Sequence, residues 1–174
     1  MRGTQRLKKT DKKIFRIVAF SDTHGSFRAM NTIFRKTTDA DVYIFLGDGE
    51  QELERICSLY PDRRVISVCG NCDYNSNAPK EILFSAADGR KIFCTHGNRY
   101  SVNSSPDRIY YRTLELGADV VLFGHTHCRY YSYTDGIYII NPGSAACPRD
   151  GLDPSYAIVD LASGGVVCSH VGLR

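Results

Sequence analysis

A chain of 174 residues with 43% hydrophobic and 24% charged residues has the balance of one folded globular domain, which excludes disordered and fibrous classes. No apolar run nears the ~18 residues of a membrane span, and residues 1–13 (MRGTQRLKKTDKK) lead into no signal-peptide core, so the expected compartment is cytoplasmic. The net charge of +3 is uneven: residues 1–13 hold six Lys or Arg and one Asp, which leaves −2 on residues 14–174, and a body of that sign does not point to nucleic acid.

The expected organisation is a basic N-terminal extension over residues 1–13 and a single domain over residues 14–174. Ile14 to Phe20 (IFRIVAF) is β-branched and aromatic and reads as a strand, ending in SDTHG. Phe27, Met30, Ile33 and Phe34 have helical spacing behind Ser26, a good N-cap. Asp41 to Leu46 is a second strand ending in Gly47-Asp48, Gln51 to Leu59 a second helix, and Arg64 to Val68 a third strand ending in Cys69-Gly-Asn-Cys-Asp73. This β-α-β-α-β order predicts parallel strands with right-handed crossovers.

The pattern then changes. Glu81 to Ser85 and Lys91 to Thr95 flank Asp88-Gly89, a hairpin signal, and the second run enters His96-Gly97-Asn98. Pro106 to Leu116 reads as a helix with proline in its first turn. Val120 to Phe123 is a strand entering Gly124-His-Thr-His127; short strands follow at Tyr130 to Tyr133, Ile137 to Ile140, Tyr156 to Leu161 and Val166 to His170. Two sheets packed face to face with helices outside would bury all of these runs.

Seven cysteines do not make a disulfide framework in a chain of this length. Cys69, Cys94 and Cys168 sit in or beside apolar runs, where a reduced thiol acts as a small hydrophobe. Cys69-x-x-Cys72 lacks the second pair a structural zinc site needs.

Five apolar strands finish in residues able to hold metal: Asp22-Thr-His24, Gly47-Asp48, Gly70-Asn71, His96-Gly97 and Gly124-His125-Thr-His127. Ligands of open α/β sheets bind outside the carboxyl ends of strands, so side-by-side strands would bring two Asp, one Asn and four of the five His together. In an extended backbone, residues two apart leave on the same side, so Asp22/His24 and His125/His127 each form a gripping pair. Singly, each motif is an ordinary turn, cap or satisfied histidine; the set of five is not. His170 follows no such motif. Seven N and O donors exceed one tetrahedral ion and suit two, with Asp48 the candidate bridge. Mixed imidazole, carboxylate and amide ligands favour Mn, Fe, Zn, Ni or Co over Mg or Ca. Two such ions about 3.5–4 Å apart would clamp a phosphoryl group and generate hydroxide at neutral pH.

In this order the motifs resemble the calcineurin-like metallophosphoesterase superfamily (D-x-H, GD, GN, a histidine near GH, and G-H-x-H) over residues 14–170. Gly70-Asn-Cys-Asp73 and Asn141-Pro-Gly-Ser144 are most similar to its small YfcE-like phosphodiesterases, a branch that shares its fold with the retromer subunit. The resemblance implies an α/β fold, a four-layer α/β/β/α sandwich of two facing mixed sheets flanked by helices. It implies one ion on Asp22, His24, Asp48 and His127 and another on Asp48, Asn71, His96 and His125. Asp48 bridges, Asn71 faces the phosphate, and a bridging hydroxide attacks phosphorus. Mn is the first choice of metal. Many superfamily members have histidine at Cys72, and many of the branch at Asn98, so the leaving-group proton donor differs here, and the tilt is towards diesters.

The expected function is therefore a metal-dependent phosphodiesterase acting on a small-molecule phosphodiester. The alternatives are a phosphomonoesterase or nucleotidase, or a non-catalytic interaction scaffold. No nucleic-acid or membrane partner is expected, and a homodimer or higher oligomer is left open. Loops 74–80 and 98–107 border the expected site, with Arg99, Tyr100 and Arg149 as candidate phosphate contacts.

Overall fold

Ile14–Phe20 forms strand β1, and its residues divide by parity. Ile17 and Ala19 enter one apolar cluster, Val18 and Phe20 another, as period-two side chains must. A strand apolar on both faces belongs in a sheet covered on both sides. The computed structural model, which describes residues 14–174, provides that cover; the basic extension lies outside the described residues.

After β1 come α1 (Phe27–Lys36), β2 (Val42–Phe45), α2 (Glu50–Leu59), β3 (Val65–Ser67), β4 (Glu81–Ser85), β5 (Lys91–Thr95), a 3-10 turn (Asn98–Tyr100), α3 (Asp107–Leu116), β6 (Val120–Leu122), β7 (Arg129–Thr134), β8 (Ile137–Pro142), β9 (Ser155–Ala162) and β10 (Gly165–Gly172). Two five-stranded sheets result, ordered β10-β9-β1-β2-β3 and β4-β5-β6-β8-β7. Strands β1, β2 and β3 are parallel, as are β5, β6 and β8, and antiparallel strands complete both sheets. Ile17, Ala19 and Ile44 of the first sheet meet Ile92, Val120 and Leu122 of the second between the layers. Helices α1 and α2 cover the first sheet through Met30, Ile33, Phe34 and Ile56, and α3 covers the second through Ile109. This is the expected α/β/β/α sandwich. No helix of the described residues is long and apolar enough to cross a membrane.

One premise is corrected: the five motif-bearing strands do not lie side by side. Three belong to the first sheet and two to the second, so the motifs meet across the gap between the sheets at one end of the sandwich. The 3-10 turn at Asn98–Tyr100 also falls where the sequence reads as loop.

Local chemistry sets the ends. The Ser26 hydroxyl accepts the Ala29 N–H at 3.3 Å and starts α1. Phe34 is fully buried, stacked on Tyr43 at 4.1 Å between centroids and edge-on to Phe20 at 6.0 Å. Phe34→Ala should therefore cost about 3–5 kcal/mol, read as a lower urea midpoint at unchanged slope; a loss under ~1 kcal/mol would mean that α1 is not held by this face.

Candidate metal centre

Backbone bonds first join the loops. The Asp22 N–H donates to Gly47 O and the His24 N–H to Asp48 O, both at 3.0 Å, and the Gly124 N–H donates to His96 O at 3.0 Å. Between the sheets, the His125 N–H donates to Asp22 Oδ2 at 3.0 Å. The loops approach so closely that side chains are excluded. A Cβ on Gly70 would lie 2.0 Å from Asp48 Oδ1, and one on Gly47, at φ +99°, would lie 2.5 Å from Gly70 N.

Extended geometry does not create the pairs. Asp22, His24, Asp48, His125 and His127 have φ of 54°, 41°, 63°, 69° and 60°, in the left-handed region that residues with a Cβ seldom adopt. The strands end first, and tight turns then aim the side chains. Five strained residues within one set of seven candidates point to function, because such strain persists only where the surroundings enforce it.

The side chains converge as follows. His127 Nε2 is 3.1 Å from His24 Nε2 and 3.2 Å from Asp22 Oδ1, and His24 Nε2 is 3.9 Å from both Asp22 Oδ1 and Asp48 Oδ2. His96 Nε2 is 3.1 Å from Asn71 Oδ1, 3.4 Å from Asp48 Oδ2 and 4.0 Å from Asp22 Oδ1. Asp22/His24/His127 and Asp22/Asp48/His96 are thus groups able to hold a metal ion, as is His24/Asp48/Cys72. Among the described residues His125 joins no such group: its Nε2 is 3.0 Å from the Asn103 amide nitrogen, and its ring centre lies 5.1 Å from that of His96.

The rings' outer nitrogens fix the proton positions. His96 Nδ1 is 2.6 Å from Leu46 O and His127 Nδ1 is 2.7 Å from Cys147 O. A carbonyl only accepts, so Nδ1 carries the proton and Nε2 of the neutral ring turns a lone pair inward. Lone pairs of His96, Asn71 and Asp48 then face one another, an arrangement that calls for a cation. The sharpest sign is Asp22 Oδ1, which is buried without a hydrogen-bond partner among the described residues and faces three imidazole Nε2 atoms. A buried carboxylate oxygen left in this way is costly unless it meets a positive charge, so the donor set fits divalent ions.

The carboxylates draw protons as well as metal ions to the facing rings. Burial pushes the Asp48 carboxyl up, but the hydrogen bond and charge of His96 and the Cys72 N–H outweigh it and hold the group well below the usual carboxylate range. Burial lowers His96, yet its bond to Asp48 and the charges of both aspartates leave it raised. His127 is raised, chiefly by Asp22. His125 is lowered, first by burial and then by the charge of His96.

Three supporting residues are not among the seven candidate ligands. Asp73 accepts four backbone N–H groups: Asp48 and Gly70 on Oδ2 at 2.7 and 2.8 Å, Gly49 and Glu50 on Oδ1 at 2.8 and 3.0 Å. One carboxylate thereby ties the Asp48 loop, the Asn71 loop and the start of α2. The Ser144 hydroxyl donates to Asp22 O at 2.7 Å, and the Asn141 amide donates to Gly124 O at 2.8 Å. Their sequence signals are the turn chemistry of Asn141-Pro-Gly-Ser144 and the resemblance that this segment carries. Of the candidate phosphate contacts, Tyr100 is taken, since its hydroxyl donates to Glu81 at 2.6 Å. Arg149 meets the site through its backbone N–H, which donates to His127 O at 3.0 Å. His170 is held by Asn141 O at 2.7 Å.

A model of the calcineurin-like phosphoesterase superfamily domain matches residues 15–164. The probable metallophosphoesterase YsnB of Bacillus subtilis is 38% identical over 146 residues, covering 83% of each chain. The phosphodiesterase YfcE of Escherichia coli K12 is 30% identical over 174 residues, covering 84% of this chain and 88% of its own. The crystal structure of an uncharacterised predicted phosphoesterase from Streptococcus pneumoniae TIGR4 superposes with a TM-score of 0.81 at 25% identity, with 92% of this chain and 90% of that one covered. With a family match across nearly all of the described residues, relatives covered over most of their length and a fold that superposes over nine-tenths of each chain, the chain belongs to the calcineurin-like phosphoesterase superfamily.

Proposed function

We propose that the chain is a metal-dependent phosphodiesterase with a dinuclear centre, acting on a small-molecule phosphodiester. The observation that carries this reading is Asp22 Oδ1, buried and unpartnered amid imidazole nitrogens. Asp22, His24, Asp48 and His127 would hold one ion and Asp48, Asn71, His96 and His125 the other, with Asp48 shared. When bound, such ions polarise a phosphoryl oxygen and supply hydroxide at neutral pH. The donor types suit Mn first, then Ni, Fe, Zn or Co.

The chain's own groups do the positioning. The Leu46 and Cys147 carbonyls lock the rings of His96 and His127, and Asp73 holds the Asp48 and Asn71 loops in register. Exposed Asn71 presents its amide to a phosphoryl oxygen at the mouth. Beside it is Cys72, a poorer aid to a departing group than the histidine many superfamily members carry. That favours diesters, in keeping with the name of the YfcE relative.

The test is hydrolysis of bis-p-nitrophenyl phosphate and p-nitrophenyl phosphate with Mn²⁺ against chelator-stripped protein. Metal-dependent turnover that is faster on the diester is expected. Faster monoester turnover would make the chain a phosphomonoesterase, and no metal-dependent turnover of either ester would leave the scaffold reading. Metal titration by calorimetry adds a second check: His127→Ala should weaken the ion at Asp22 and His24, and His125→Ala the ion at Asn71 and His96. If both variants empty the same site, the division of ligands is wrong.

A further inference from the structure

Two cavities flank the candidate metal groups and meet at Asp73 and Tyr74. One, of about 260 Å³, is lined by His24, Asp48, Glu50, Glu52 and Cys72, with no Lys or Arg among the described residues. The other, of about 410 Å³, is lined by Asn71, Ser76, Lys80, Asn98 and Arg99. Among the described residues its only carboxylate is Asp73, and both of those oxygens are committed to backbone N–H groups. The two sides of the site therefore differ in charge.

The cations of the larger cavity are available. The Lys80 ammonium forms no ion pair with any described residue. Arg99 lies 3.8 Å from Glu81 at the rim and is 58% exposed. Glu81 is shared, since it also pairs with Arg112 at 3.8 Å and accepts the Tyr100 hydroxyl at 2.6 Å. A volume of this size falls in the range of small-ligand pockets.

A phosphodiester held at the metal groups would extend two ester arms, and an arm on the Asn71 side would face the cavity that Asn71, Lys80 and Arg99 line. We propose that this cavity is a subsite for a negatively charged arm, so that the preferred ligand is an asymmetric phosphodiester bearing a second anionic group such as a phosphate. This rests on the phosphodiesterase reading, and the test separates the two.

Calorimetry on the Mn²⁺-loaded full chain compares thymidine 3′,5′-bisphosphate with thymidine 5′-monophosphate, and needs no turnover. The bisphosphate should bind about tenfold tighter, the size of one charge-assisted contact in a half-exposed site. The gap should shrink at ~0.5 M salt and close in Lys80→Ala/Arg99→Ala. Equal affinities, or a gap that survives the double substitution, overturn the subsite. Turnover is read separately: p-nitrophenyl esters of the same two nucleotides should differ in KM in the same sense. Hydrolysis of neither ester, with the affinity gap intact, would reject the phosphodiesterase reading and keep the anion subsite.

Discussion

Asp48→Asn should lower turnover of bis-p-nitrophenyl phosphate on the order of 10³-fold, more than the 10–100-fold that outer-shell partners contribute. Asp48 Oδ1 accepts the Cys72 N–H at 2.8 Å, and Oδ2 faces His24 at 3.9 Å and His96 at 3.4 Å. An asparagine that keeps its oxygen towards Cys72 turns an NH₂ between the two imidazoles, placing a donor where a cation needs an acceptor. The fold should tolerate the change. Asparagine adopts the left-handed backbone that residue 48 requires (φ 63°) better than most residues, although it gives up the charge that His96 and the Cys72 N–H stabilise. Melting in chelator should therefore fall modestly, while the rise in Tm on adding Mn²⁺, which reports binding to the native state, should disappear. An intact Mn²⁺-dependent rise together with intact turnover would remove Asp48 from the centre.

Much of this was legible in the sequence, and the exceptions share a cause. The central strands were located by apolar runs, because a strand covered on both faces leaves an uninterrupted apolar signature, as Val42–Phe45 does, and the more exposed β7 by its tyrosines. The seven candidates were legible as strand-end motifs, and the structure brings all seven to one end of the sandwich. Their local geometry was not. Spacing of two was read as extended backbone, whereas β1 ends at Phe20 and β6 at Leu122, and turns follow, with the Thr126 N–H on Gly124 O at 2.8 Å and the Ser26 N–H on Thr23 O at 2.8 Å. Left-handed histidines and aspartates are unfavourable locally and are held by bonds to distant loops, so a window along the chain cannot reveal them. The same holds for Asp73, whose donors at residues 48 to 50 lie 23 to 25 positions away, and for the division of the motif strands between two sheets.

Asp73→Ala should therefore destabilise the protein and loosen metal binding together. It strips the acceptor from four backbone N–H groups. An unsatisfied buried donor costs about 1–3 kcal/mol, but Asp73 is only half-buried and water can reach part of the gap, so a total near 2–4 kcal/mol is expected. Urea unfolding in chelator measures that loss free of metal. Asp73→Asn sharpens the comparison. Its single oxygen can serve either the Asp48 and Gly70 pair or the Gly49 and Glu50 pair, while its NH₂ opposes the other. It also removes the negative charge at the start of α2, a term of about 0.3–1 kcal/mol. Because Oδ2 joins the Asp48 backbone to Gly70 and its loss leaves the Cys72 N–H on Asp48 Oδ1 to tie Asp48 to the Asn71 loop, Asp48 and Asn71 should be held less firmly, and the ion proposed for that pair should weaken more than the one proposed for Asp22, His24 and His127. Calorimetric titration with Mn²⁺ should then give one tight and one weakened site in Asp73→Ala. Two sites of native affinity in a destabilised Asp73→Ala would make the carboxylate a helix cap with no part in the centre.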